Sequence, residues 1–285
     1  MRKRRGLFFI IQIVLATLFL SLSFSCQKKI EEKKSIEDLL IKQPKLKFDE
    51  KVPQRYKITS TLYNRDMEGN IVSTIQLSGK FTRYVEKGEV LCRWEDVKMV
   101  SSKETSSEFP EGKSLDYLED FLYPLSGKIL NEDFYKDFPE EEKTYVKTLI
   151  WDAPWIEVAY VSIDNAEYNK PFFSSDLENK KIDIQNFALL KIKNLKGSWS
   201  GVAKKNGEVC ALIEFKALSN PIETKLEGLS VKGRTCSWGS FWVSLEDHEV
   251  EYAQVNEDVI MEMTLPNFPK QILNMQREVE FQKIR

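Results

Sequence analysis

From Val52 to the end of the chain, apolar and polar side chains alternate in steps of two. This pattern restricts the fold more than any other feature. A period of two sends successive side chains to opposite faces of an extended backbone, so these segments read as β-strands with one face toward a core. Tyr56, Ile58 and Ser60 alternate with Lys57 and Thr59. Residues 71–85 form one long strand or two strands bent at Gly79, and Glu86–Lys87–Gly88 turns the chain into Val90, Cys92 and Trp94. Asn206–Gly207 marks a hairpin, because a type I′ turn needs two residues that tolerate positive φ. Val209, Ala211, Ile213 and Phe215 then share a face, and residues 233–245, 250–265 and 279–284 complete about eight to eleven strands.

Helix signals are few and central. Residues 139–150 open with Pro139 and three glutamates, which suit a helix N-terminus, and carry Tyr145, Val146, Leu149 and Ile150 as one apolar stripe. Residues 114–123 form a shorter helix candidate stopped by Pro124, and a third candidate follows Pro269. Pro154 disfavours helix at Ala153, and residues 162–186 read as a polar loop containing Phe172 and Phe173. Strands, then helices, then strands, without β–α alternation, predict a β-dominated α+β fold rather than a doubly wound one. No linker interrupts residues 52–285, so they read as one domain with two β-halves joined by a helical segment at about 112–156. Lys87–Gly88–Glu89–Val90 and Asn206–Gly207–Glu208–Val209 echo each other faintly as turns into strands.

One strand constrains the layers. Trp238, Ser240 and Trp242 project to one face, while Gly239, Phe241, Val243 and Leu245 project to the other. Apolar bulk on both faces predicts that both are covered. One face packs on helices and the other lines a second layer or a cavity. A strongly curved antiparallel sheet with helices inside its concave face meets that demand.

The first 26 residues carry an address. Arg2 to Arg5 form a basic region, an apolar run extends from Leu7 to Leu22, and Ser23, Phe24 and Ser25 lead to Cys26. That order is a secretion signal. Ser25–Cys26 resembles the core of the bacterial lipobox in a relaxed form, since Ser23 and Phe24 replace the commoner leucine and small residue. The resemblance implies residues 1–25 as signal peptide, cleavage before Cys26, and acylation of Cys26. With Gln27 next, it also implies attachment to the outer membrane on its periplasmic face rather than to the inner membrane. Residues 26–51 are rich in Lys and Glu with few apolar residues, which makes them a tether. Extended, they reach roughly 80 Å.

Charge and composition exclude some functions. The net charge of −2 includes four cations and no acid in the first 25 residues, so residues 26–285 carry −6. An acidic chain lacks the basic patch that nucleic acid requires. A single histidine, His248, removes multi-histidine metal sites, and no cofactor motif, metal-ligand set or catalytic set emerges. Gly197–Ser198–Trp199–Ser200–Gly201 places tryptophan where a hydrolase elbow needs its nucleophile. Asp152 and Glu157, around Trp151 and Trp155, form an acid/base pair in one reading; in the other, Asp152 makes local turn bonds and Glu157 faces water. Glu257–Asp258 and His248 read as solvated turns. Cys92, Cys210 and Cys236 are buried small side chains, or Cys210 and Cys236 pair across neighbouring strands.

Of the six tryptophans, Trp94, Trp155, Trp238 and Trp242, with Phe241, are the candidate ligand-binding residues; the alternative places them in the core. Strand richness, a central helical insert and an envelope address together resemble the half-barrels of LolA/LolB-type lipoprotein carriers. That resemblance implies a non-enzymatic lipoprotein that binds a lipid or another apolar ligand in a curved sheet. An assembly module holding envelope protein partners through a sheet edge is the alternative, and a carboxylate-dependent hydrolase a lesser one.

Overall fold

The computed structural model describes residues 52–102, 112–173, 181–184, 188–193, 195–224, 228–265 and 269–285. The signal peptide, Cys26 and the tether lie outside the described residues. Those described belong to a compact unit running from Leu46 to Arg285.

Among the described residues, thirteen strands form a single sheet. They are β1 (Gln54–Arg65), β2 (Ile71–Glu86), β3 (Glu89–Ser102), β4 (Lys113–Ser114), β5 (Phe121–Pro124), β6 (Pro171–Phe173), β7 (Lys181–Ile184), β8 (Ala188–Lys191), β9 (Lys196–Lys205), β10 (Glu208–Thr224), β11 (Ser230–Ser244), β12 (Val250–Thr264) and β13 (Gln271–Lys283). The path is β4-β3-β2-β1-β13-β12-β11-β10-β8-β7, with β5 also on β3, β9 also on β10, and β6 on β9. Every ladder between these strands is antiparallel. The fold is β-dominated, and its one open, curved sheet carries a helical insert packed against it. Seven of the eight long strands overlap segments that alternation predicts, and the eighth, β9, is the first arm of the hairpin that Asn206–Gly207 marks. The five short ones hide in stretches whose composition reads as loop or helix.

Two meanders, β1–β3 and β9–β13, meet where β1 pairs with β13, from Tyr56↔Lys283 to Arg65↔Asn274. Register then continues inward-facing rows across the sheet. Ile58 lies beside Phe281, Phe281 beside Ala253, Ala253 beside Phe241, and Phe241 beside Ile213. Curvature has visible causes. A Cβ on Gly239 would sit 2.0 Å from Gln254 O, and one on Gly233 2.4 Å from Ile260 O. At both places β11 approaches β12 more closely than a side chain permits. At Gly79 the β2–β3 register slips, and the extra β3 residue, Asp96, takes φ 54°. This bulge is the bend the sequence suggests there. Lys87–Gly88 and Asn206–Gly207 both adopt paired positive φ, as two-residue hairpins require.

The helical expectations need correction. Pro139 opens a turn, and helix α1 runs Lys143–Asp152. Pro154 does not end the helical region: with no N–H to lose, it stands first in a second helix, α2, Pro154–Asn165. The stretch 114–123 holds only a 3₁₀ turn, Asp116–Leu118, before β5 pairs with β3. The segment after Pro269 is not helical; it is β13, because its alternation continues the inward row of Val279 and Phe281. Residues 162–186 include the end of α2 and strands β6 and β7.

Candidate functional site

The helices cover one part of the concave face. Trp155 on α2 lies 5.2 Å from Phe215, which stacks on Phe241 at 4.8 Å over the space left by Gly239. Tyr160 Oη lies 3.0 Å from Tyr56 Oη. Asp152, Ala153, Ile156 and Ala159 are wholly buried, and their spacing is one helical face.

Two arginines fasten this layer. Arg83, 2% exposed, is bidentate to Glu157 on α2, with Nη2 donating at 3.0 Å to Oε2. Its guanidinium also lies 5.1 Å above the Tyr160 ring. Arg277 on β13 lies 2.7 Å from Asp152 Oδ1 and 2.9 Å from Glu257 Oε2. Burial pushes the Asp152 carboxyl up to about 6; the Arg277 charge opposes that rise, as does the Ser60 hydroxyl, while Glu257 adds to it. Arg277 is held above its ordinary value: burial pulls it down, but Asp152 and Glu257 outweigh that.

Beyond the arginine lies a row of buried polar groups. Ser237 and Glu257 face each other across β11 and β12, and Asn220 Nδ2 donates to Thr235 Oγ1 at 3.4 Å. The belt divides the concave face. On its far side the inward positions are apolar again: Ala188, Ile222, Val231 and Met261 form a cluster, with Leu190, Leu229, Val259, Met263 and Leu273 partly buried against it. Register places them on the helix-bearing face, since Met261 continues Glu257 and Val255, and Leu273 continues Arg277 and Val279. Gly228, Leu229, Ser230, Thr264 and Leu265 line a shallow open depression at the end of this cluster. The concave face thus holds two apolar compartments, a helix-covered core and a terminal cluster, separated by ionic and hydroxyl side chains.

The sequence-selected residues do not converge. Trp94 is fully buried, its indole N–H donating to Tyr123 Oη at 3.2 Å, and Phe241 lies in the helix-covered core with Trp155 beside it. Trp238 and Trp242 project from the opposite face and are partly exposed. Lys205 Nζ lies 5.5 Å from the Trp242 ring and 3.5 Å from the Tyr252 ring. That face has no second sheet among the described residues, which corrects the expectation that both faces of β11 are covered by apolar layers. The long cation Lys205 covers Trp242 instead, and Lys216 lies opposite Trp238 on the neighbouring strand.

The carboxylate readings also change. Asp152 is wholly buried beside Arg277 rather than in a turn, and Glu157, its side chain 30% exposed, is held by Arg83. Glu257–Asp258 lies within β12, not in a turn. His248 does sit in the β11–β12 turn, at φ 62°. Cys92, Cys210 and Cys236 are free thiols. Cys210 lies opposite Ser244 and Cys236 opposite Asp258, eight residues apart along β11, or about 26 Å. A disulfide spans less than about 7 Å between Cα atoms, so the two cannot pair. Among the described residues no cluster of three or more metal-ligating side chains forms, and no helix is long and apolar enough to cross a membrane.

Sequence reading missed Arg83, Arg277 and the terminal cluster, though a signal exists. Arg83 shares parity with Phe81, and Arg277 with Val279 and Phe281. A lone charge at an inward position must find a buried partner.

No family model matches the chain, and no curated protein matches it. Among solved structures it is similar to lipovitellin, from work on lipid–protein interactions in that protein, at 11% identity and a TM-score of 0.41. The alignment covers 84% of this chain and 26% of that one, so the chain spans about a quarter of the lipovitellin chain's length.

Proposed function

We propose that the chain is an envelope lipoprotein, cut before Cys26, acylated there, and tethered by residues 26–51 to the periplasmic face of the outer membrane. Its curved sheet holds an acyl chain or another apolar molecule. One observation carries this reading: the cluster of Ala188, Ile222, Val231 and Met261, on the concave face but beyond the belt that limits the helix-covered core. Residues that only complete a core join it. A second apolar compartment, walled off by buried ions and opening toward a depression between hairpins, has the composition of a site for a small apolar ligand. The Asp152–Arg277–Glu257 group gives the compartment a polar floor. It carries one excess negative charge when ionised and does not favour an anionic headgroup.

Native mass spectrometry of the chain purified from membranes tests both parts. The reading expects an N-terminal peptide beginning at acylated Cys26 and a co-purifying mass that solvent extraction identifies as lipid. An unmodified cysteine overturns the anchor, and a bare protein mass overturns the ligand.

A protein partner is the second reading. Residues Gly201 to Ala203 of β9 pair with β10, and among the described residues no strand pairs with their other edge. A partner strand could add there. Stable co-purification of an envelope protein, lost when Val202 is replaced by proline, would support it.

A further inference from the structure

Three ionisable side chains stand where the helix-covered core gives way to the terminal cluster: Asp152 at the end of α1, Glu257 on β12 and Arg277 on β13. Arg277 contacts both carboxylates. Its side chain and that of Glu257 are 13% and 16% exposed, while Asp152 is wholly buried. The ligand compartment begins one inward position further on. Val259 follows Glu257 on β12, Met275 follows Arg277 on β13, and the two lie opposite each other. Val259 packs against the cluster of Ala188, Ile222, Val231 and Met261. The charged groups that face Asp152 are Arg277 and Glu257. From the other elements, β1 presents Ser60 and Leu62, β11 presents Ser237, and Glu157 on α2 is held by Arg83. Asp258, next to Glu257, projects to the opposite face of the sheet.

Charge in this trio is unbalanced, because one cation serves two carboxylates. Like charges on one enclosed site disfavour full ionisation, and removing the water that remains raises that cost. A molecule that fills the compartment takes water from Glu257 and Arg277, the two partly open members. We infer that binding of an apolar ligand in the terminal compartment is linked to uptake of one proton from solvent by this trio, so that an uncharged ligand binds more tightly in acid. Asp152 receives the proton, because it is the member that water does not reach. Burial already outweighs the pull of Arg277 there and pushes the carboxyl up to about 6. A bound apolar molecule raises that value further. Affinity is then highest below about 6 and falls as pH rises toward the value in the complex, by at most about tenfold per pH unit for one proton. The inference rests on the ligand reading proposed above and adds the regulation of that site.

The test uses the full chain in phosphatidylcholine nanodiscs, with a photoreactive long-chain alcohol as the probe. Neither the lipid headgroup nor the alcohol titrates between about pH 5 and about pH 8. Labelling of the peptides that hold Ile222, Val231 and Met261 is followed against probe concentration at each pH. The expected result is a half-saturation at least about threefold higher at the alkaline end than at the acid end in the parent chain, and equal at both ends in Asp152→Asn. Glu257→Gln leaves one carboxylate to one cation and is expected to shrink the ratio, which keeps the test open if Asp152→Asn does not fold. Saturable labelling with one half-saturation across the range in the parent, or a pH dependence that survives the substitutions, would overturn the inference and leave the ligand reading standing. Labelling that never saturates at the cluster would overturn the ligand reading itself, and the inference with it.

Discussion

Asp152 illustrates what one buried carboxyl does to the energetics of this sheet. Its folded value of about 6 exceeds the unfolded value of about 3.9. Between those values the folded state binds more protons, so this group's contribution to stability falls as pH rises through the window and is fully present below it. Its slope is at most about 1.4 kcal/mol per pH unit. Asp152→Asn removes that slope. Urea unfolding of both proteins at several pH values from about 4 to about 7 should show the parent losing stability relative to the variant as pH rises. A constant difference would contradict the assignment. Glycine at position 239 makes a second residue-scale prediction. Gly239→Ala drives a methyl into Gln254 O and costs about 1–3 kcal/mol, whereas Gly201→Ala, with open space at its Cβ, stays within about 0.5 kcal/mol. Thermal unfolding of the pair checks both.

Among the elements, α2 defines the core. It stands between the sheet and solvent through Trp155, Ile156 and Tyr160, and Arg83 ties it to β2. Arg83→Ala strands Glu157 and is expected to cost about 3–5 kcal/mol, and replacing Arg83 and Glu157 together with methionine recovers much of that loss. Denaturant midpoints of the single and double variants report the coupling. This helix also marks how much of the fold was legible in advance. Alternation identified seven of the long strands, β13 only from Val279 onward, because each carries one buried face, and Asn206–Gly207 identified the hairpin that holds β9 because few residues tolerate positive φ. The helix Pro154–Asn165 escaped because proline reads equally as a stop or as a first helical residue, and only packing decides. β5 escaped because Phe121 and Leu122 fit a helical stripe as well as a strand, until β3 offers an edge. The five residues chosen for a ligand site do not come together. Tryptophans mark buried area wherever it lies, and three of the chosen five residues serve the core. The terminal cluster is built from Ile222, Val231 and Met261, ordinary residues whose meaning comes from register.

At the scale of the molecule, the sheet closes through its ends: β1 and β13 carry ten paired rows between residues more than 200 apart in sequence. Loop closure over such a distance precedes most of the favourable burial, which predicts slow folding dominated by non-local pairing. Removing residues 271–285 deletes the strand that joins both meanders. The truncated chain should lose its cooperative unfolding transition, checked by near-ultraviolet circular dichroism against temperature. The same pairing sets the terminal cluster at one end of the sheet, so the proposed ligand compartment is a consequence of topology. The central claim is that an apolar molecule occupies this compartment. It is tested most directly by feeding cells a photoreactive acyl chain, irradiating them, and mapping the labelled peptides of the purified protein. The account predicts labels on Leu190, Ile222, Val231, Met261 or Leu273. Labels confined to Trp238 and Trp242 on the opposite face, or none on the sheet, would contradict it.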